Sequence, residues 1–198
     1  MNQYSTVFFD LDGTLTDPKE GITRCIQYAL EQLGGPDFSQ DELASCIGPP
    51  LRESFGRLLQ TDDTERKEQA LNLYRDRFAT VGLFENAVYP GVRELLADLG
   101  SMRVFLATSK PRVYAKRILS HYELVAYFDG IYGSEMDGRF EKKPDLLRHM
   151  LTSECLSAES TLMVGDRDHD IIAARKNACG AMGVTYGYGS TEELRYAQ

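Results

Sequence analysis

The chain is predicted to be an α/β protein, a Rossmann-like parallel sheet with helices on both faces and an inserted all-helical cap. Three observations predict this. Strand and helix patterns alternate from residue 89 onward, the mark of a parallel sheet built with crossover helices. One apolar strand candidate, Thr6-Val7-Phe8-Phe9, stands alone near the start. Between the two lies a stretch with helical patterning and no strand pattern before Pro90. The expected division is a core of residues 1–15 and 85–198, with a cap of residues 16–84.

The elements follow in order. β-Branched and aromatic residues at 6–9 run into a Gly-containing turn, Asp10-Leu11-Asp12-Gly13-Thr14-Leu15, which reads as a buried strand and its exit. Asp17 is placed to cap a helix, with Pro18 at its first position and Glu20 three residues after the cap. Ile22, Ile26, Ala29, Leu30 and Leu33 give that helix one apolar face, and Gly34-Gly35-Pro36 stops it. Ser39 starts a short helix that Gly48-Pro49-Pro50 breaks. Further helices are expected from Leu51 to Leu59 and over 65–84. Past Pro90 the predicted order is helix 91–99, strand 103–108, helix 111–121, strand 128–132, helix 144–152, strand 161–165, helix 168–177 and strand 181–185.

Composition narrows the function. With 22 basic and 30 acidic side chains the net charge is −8, and the pI is near 5.0. Such a chain is a poor partner for nucleic-acid polymers or anionic membranes. No apolar run reaches the roughly 18–20 residues of a membrane span. The first nine residues lack the basic and long apolar stretches of a signal peptide, so a cytoplasmic protein is expected. Cys25, Cys46, Cys155 and Cys179 have no metal-site or redox-motif spacing and read as reduced thiols. His121, His149 and His169 show no zinc-ligand spacing.

The strand ends carry the chemistry. In a parallel sheet, ligands bind outside the carboxyl ends of the strands. Asp10 and Asp12 end the first strand, Thr108 and Ser109 the second, and Gly165-Asp166 a later one; Lys142-Lys143-Pro144 opens the helix before it. Two carboxylates two residues apart can divide nucleophilic attack and proton transfer between them. Gly13 permits close backbone approach, so amides there can cradle an anion. Asp166 adds a third carboxylate, and clustered oxygen ligands without thiols or imidazoles favour magnesium. Thr108 can donate to a phosphoryl oxygen, and Lys143 supplies a fixed charge. Asp170, four residues after Asp166, shares its helix face and can orient metal-bound water or hold Lys143.

In this order the motifs resemble those of the haloacid dehalogenase superfamily. Residues 8–15 match its first motif, Thr108 the second, Lys143-Pro144 the third, and Gly165-Asp166 through Asp170 the fourth. The helical block sits where this family carries its cap. Tyr89-Pro90-Gly91, Thr108-Ser109-Lys110-Pro111 and Gly187-Tyr188-Gly189-Ser190 are similar to the phosphoglycolate phosphatase-like and 5′-nucleotidase-like branch. The resemblance implies a magnesium-dependent phosphomonoesterase acting on a small phosphorylated metabolite, phosphoglycolate or a nucleoside 5′-monophosphate. Asp10 is then the nucleophile and Asp12 the proton donor. Thr108, Ser109, Lys143 and Gly13 bind phosphate, while Asp10, Asp166 and the Asp12 carbonyl hold the metal. Gly48 and Arg52 are implied to face the substrate from the cap. Dehalogenation at carbon needs neither Asp12 nor the metal and is disfavoured. A sugar-phosphate mutase and a non-catalytic phospho-ligand binder stay open. Arg167, where relatives carry a small hydroxyl residue, either adds charge beside the metal or pairs at the surface.

Overall fold

The computed structural model describes residues 4–197. These divide into two compact units, Met1–Asp17 with Val88–Gln198, and Pro18–Ala87. The crossover points thus lie two or three residues past the expected 15/16 and 84/85.

The first unit is built on β1 (Thr6–Phe9), β4 (Arg103–Pro111), β5 (Gly130–Ser134), β6 (Thr161–Gly165) and β7 (Gly180–Gly183). Their spatial order is β5-β4-β1-β6-β7, and every neighbouring pair is parallel. α5 (Val92–Asp98), α6 (Arg112–His121), α7 (Lys143–Ser153), α8 (Asp168–Lys176) and α9 (Thr191–Tyr196) complete it. The chain leaves β1 toward β4, whereas it leaves β6 toward β7. These opposite departures open a crevice at the carboxyl ends of β1 and β6, the switch point where such sheets bind ligands.

Register delivers the residues there. Phe9 pairs with Leu106 on one side and Val164 on the other, so Asp10 emerges beside the ends of both neighbours. Beneath them Phe8, Phe105 and Met163 form a core with Leu146, Leu147 and Met150 of α7 and Ala173 and Ala174 of α8. Phe8 and Phe105 meet edge to face, 5.7 Å between centroids, the arrangement their ring quadrupoles favour. Gly130, opposite Phe105, leaves the ring its space: a Cβ there would lie 2.9 Å from it.

The second unit comprises α1 (Lys19–Gln32), α2 (Gln40–Leu43), α3 (Leu51–Leu58) and α4 (Thr64–Arg77). Ser39 forms a capping box with Glu42, and Asp63 caps α4 through the Glu65 amide at 3.0 Å. α1 buries Ile22, Cys25, Ile26, Ala29 and Leu30, the face its periodicity predicted, except that Leu33 closes the helix instead. Phe55 and Tyr74 pack edge to face, and Tyr74 stacks on Phe78 at 5.4 Å. Arg77 grips Glu85 with two bonds of 2.7 and 3.0 Å.

Several expectations are corrected. Pro18, not Asp17, occupies the cap position of α1, and the Asp17 carboxylate accepts the Tyr188 hydroxyl. α4 does not run to Phe84: a π turn over Phe78–Gly82 intervenes, where Gly82 passes too close to Cys25 for any side chain. Two short strands before Pro90, β2 (Thr16–Asp17) and β3 (Ala87–Val88), form their own two-stranded sheet. β4 continues past Thr108 to Pro111 through a register shift. β5 begins at Gly130, not Phe128, and β7 lies one residue earlier at its start than expected. α9 had no predicted counterpart. Among the described residues no helix is long and apolar enough to cross a membrane.

Phe105 is fully buried, so Phe105→Ala should cost about 3–5 kcal/mol. The measurement is urea unfolding, where the midpoint should fall at constant m. A loss below about 1 kcal/mol contradicts this reading of the core.

Candidate active site

Asp10 is the first residue past β1, tied to β6 by its amide on the Val164 carbonyl at 2.9 Å. The turn that follows closes on itself. Amides of Thr14, Leu15 and Thr16 point to the Leu11 carbonyl, and the Gly13 amide donates to Thr16 O at 2.8 Å. The Gly13 amide, expected to cradle an anion, is therefore spent inside the turn. Its glycine serves another purpose. Gly13 has φ +81°, and a Cβ there would lie 2.6 Å from the Asp166 carboxyl carbon. Only the missing side chain lets Asp166 approach β1's exit.

Lys143, at the start of α7, is 1% exposed. Its ammonium lies 2.9 Å from Asp10 Oδ1 and donates to Asp170 Oδ1. Asp170 is fully buried, and its other oxygen accepts the Arg167 amide at 3.0 Å. Of the two alternatives for Asp170, the structure thus shows it holding Lys143. Gly165 makes room for it: a Cβ there would stand 2.5 Å from the Asp170 Cβ. Burial works against the Lys143 charge, but the carboxylates of Asp10 and Asp170 outweigh it and keep the lysine protonated. Burial likewise opposes the Asp10 charge, and Lys143 reverses the sign, holding Asp10 below the usual carboxylate range.

Asp12 is partly buried, and its Oδ2 accepts from Lys110 Nζ at 2.5 Å. Burial raises its carboxyl despite that ammonium. Asp166 is buried, accepting from Thr14 Oγ1 at 3.3 Å and from the Tyr188 amide at 2.8 Å. Burial pushes it to about 6, the Tyr188 amide opposing and the Asp10 and Asp170 charges adding. Thr108 is buried, and its Oγ1 accepts the Lys110 amide at 3.2 Å. Ser109 is exposed at the same strand end, and its carbonyl accepts the Ser134 hydroxyl.

Four carboxylates thus face two ammoniums, Lys110 and Lys143. Asp12 Oδ1 is buried without a hydrogen-bond partner, and Asp10 Oδ1 faces the Lys143 ammonium. A negative excess built from carboxylate oxygens fits a hard divalent cation. Among the described residues Asp10, His169 and Asp170 bring one ligand atom each within 4.8 Å of one another. Lys143 already lies against the two carboxylates of that trio.

Sequence reasoning assigned no role to Lys110, His169 or Tyr188. Lys110 lies past the expected strand end at 108, in the stretch where β4 shifts register, so periodicity did not mark it. Arg167 resolves toward pairing, its Nε 2.8 Å from Glu193 of α9. Gly48 and Arg52 lie in the helical unit. Gly48 is exposed with φ +102°, and the Arg52 guanidinium pairs with Glu68 there.

Residues 7–184 match the family model described as haloacid dehalogenase-like hydrolase. A protein of Pseudomonas aeruginosa named 5′-nucleotidase is 46% identical over 198 residues, covering 99% of this chain and 89% of that one. A Mycobacterium tuberculosis protein named tyrosine-protein kinase PtkA is 36% identical over 188 residues, 94% of this chain and 64% of its own length. A crystal structure described as a predicted phosphatase from Clostridium acetobutylicum superposes with a TM-score of 0.90 at 42% identity, covering 99% of this chain and 91% of that one. With the motif residues gathered at the switch point of a five-stranded parallel sheet, the chain belongs to the haloacid dehalogenase-like hydrolases, among their phosphatases.

Proposed function

We propose that this chain is a magnesium-dependent phosphomonoesterase that works through an aspartyl phosphate on Asp10, with nucleoside 5′-monophosphates as its favoured substrates. The observation that carries the reading is the division of labour between two neighbouring carboxylates. Lys143 lowers Asp10 and keeps it an anion, as a nucleophile requires; burial raises Asp12 and favours the protonated form a general acid requires.

In this reading the Asp10 carboxylate attacks phosphorus. Asp12 gives its proton to the leaving alkoxide oxygen, then takes one from the water that opens the aspartyl phosphate. The Thr108 hydroxyl and Lys143 ammonium hold phosphoryl oxygens, and Ser109 flanks them. Lys110 orients Asp12. The metal falls to Asp10, Asp166 and the Asp12 carbonyl, because Lys143 already serves as the cation between Asp10 and Asp170. When bound, magnesium supplies positive charge against the phosphoryl oxygens. Phosphoryl transfer is mainly positioning and charge neutralisation, and the remaining groups supply both.

The nucleotide preference rests on the relative named 5′-nucleotidase, near-complete in coverage of both chains. Phosphoglycolate belongs in the same assay as the second candidate. An aspartyl phosphate has other possible acceptors: a sugar hydroxyl in a mutase, or a tyrosine, which the mycobacterial relative's name brings into view. Release of inorganic phosphate from a panel of phosphomonoesters separates water from both. A protein that binds these esters without turnover would contradict the enzymatic reading.

Asp10→Asn nearly preserves shape and removes the nucleophile, so turnover should fall by several orders of magnitude. Retention of more than about a tenth of wild-type kcat sinks the covalent mechanism. Asp12→Ala should slow alkyl phosphates by roughly 10²–10⁴-fold and p-nitrophenyl phosphate much less, since nitrophenolate leaves without a proton. Equal losses on both classes would assign Asp12 a structural role.

A further inference from the structure

The loop after β7 closes on Asp166 through three consecutive residues. The Tyr188 amide donates to Asp166 Oδ2 at 2.8 Å. Gly187 lies so near that a Cβ would stand 2.5 Å from the same oxygen. A Cβ on Gly189 would collide with the Asp166 main-chain carbonyl. Two glycines therefore let the backbone reach the carboxylate, and the residue between them supplies the bond. Tyr188 is anchored in turn: its hydroxyl donates to the Asp17 carboxylate in β2, the last residue before the chain enters the helical unit. A second tie lies beside it, Tyr186 OH on the Thr14 carbonyl at 2.8 Å, and Thr14 itself donates to Asp166.

We propose that Gly187-Tyr188-Gly189 is a clamp that orients the Asp166 carboxylate for the metal, and that Tyr188 is a positioning residue whose bond to Asp17 fixes the clamp. The inference rests on the reading of Asp166 as a metal ligand. A carboxylate ligand pinned by a main-chain amide has a set direction, and partners that orient ligands are typically worth 10–100-fold in metal affinity. Tyr188→Phe keeps the ring and the amide and removes the hydroxyl that reaches Asp17, together with its bond to Tyr89. Asp17→Ala removes the same bond from its other end.

The test is calorimetric titration of magnesium chloride into the full-length wild type, Tyr188→Phe, Asp17→Ala, the double variant and Asp166→Asn, with apo melting temperatures measured alongside. The clamp predicts about a 10-fold loss of magnesium affinity in each single variant, with the double no worse than either. Gly187→Ala, where it folds, should lose at least as much. Magnesium affinity near wild type in both single variants overturns the clamp, even where apo melting temperatures fall, because that pattern marks a purely structural bond. Losses that multiply in the double variant overturn it too. If Asp166→Asn binds magnesium like the wild type, the metal reading beneath the clamp is wrong. If Asp166→Asn loses binding while Tyr188→Phe keeps it, only the clamp is wrong.

Discussion

Lys143 brings an ammonium to the interior end of a parallel sheet, with a side chain almost wholly removed from water and two aspartates against it. Desolvating any one of these charges costs several kcal/mol, and the arrangement holds only because each has a partner. Asp170 is the deeper of the two carboxylates and also accepts the Arg167 amide at the opening of α8. The triad thereby joins the start of α7, the start of α8 and the end of β1. The chemistry assigned to Asp10 depends on it. A carboxylate this buried would otherwise take up a proton and lose its nucleophilic character, and the ammonium prevents that.

The sheet's topology makes the meeting possible. β1 is central, so its exit faces the ends of β4 and β6 at once. Register sets Asp10 level with Ala107 and Gly165, one residue from Thr108 and from Asp166. Glycines then set how close the acids come. Gly13 admits Asp166 and Gly165 admits Asp170, each at a distance no Cβ would allow. Acids packed this tightly repel one another. Burial is the main cause of the upward shift of Asp166, and this repulsion adds to it; the shift fits a site that takes a divalent cation.

Most of this framework was legible in the residues. Strand periodicity with β-branched and aromatic residues located β1, β4 and β6, and the polar residues at their ends marked the site. The family resemblance supplied the order of the motifs. What stayed hidden has physical causes. The π turn after Arg77 ends where Gly82 packs against Gly21 and Cys25 of α1, a contact no periodicity encodes. β2 and β3 are two residues each, too short to show alternation. Asp17 carries the side chain of a good cap, yet Pro18 takes the cap position and Asp17 accepts the Tyr188 hydroxyl. Lys110 lay beyond the strand expected over 103–108, where β4 shifts register. Tyr188 was hidden because its role arises from a loop whose course depends on the completed sheet. Gly13 was expected to offer an amide to phosphate; hydrogen bonding within a six-residue turn decided otherwise.

The central claim is that the buried Lys143 ammonium holds Asp10 below the usual carboxylate range against burial, and offsets part of the burial that raises Asp170. Equilibrium urea unfolding at neutral pH of wild type, Lys143→Met and Lys143→Met with Asp170→Asn tests it most directly. Removing one partner of a buried ion cluster should cost about 3–5 kcal/mol, and neutralising Asp170 as well should return part of that loss. A single variant within about 1 kcal/mol of wild type, or a double variant less stable than the single, would contradict the account.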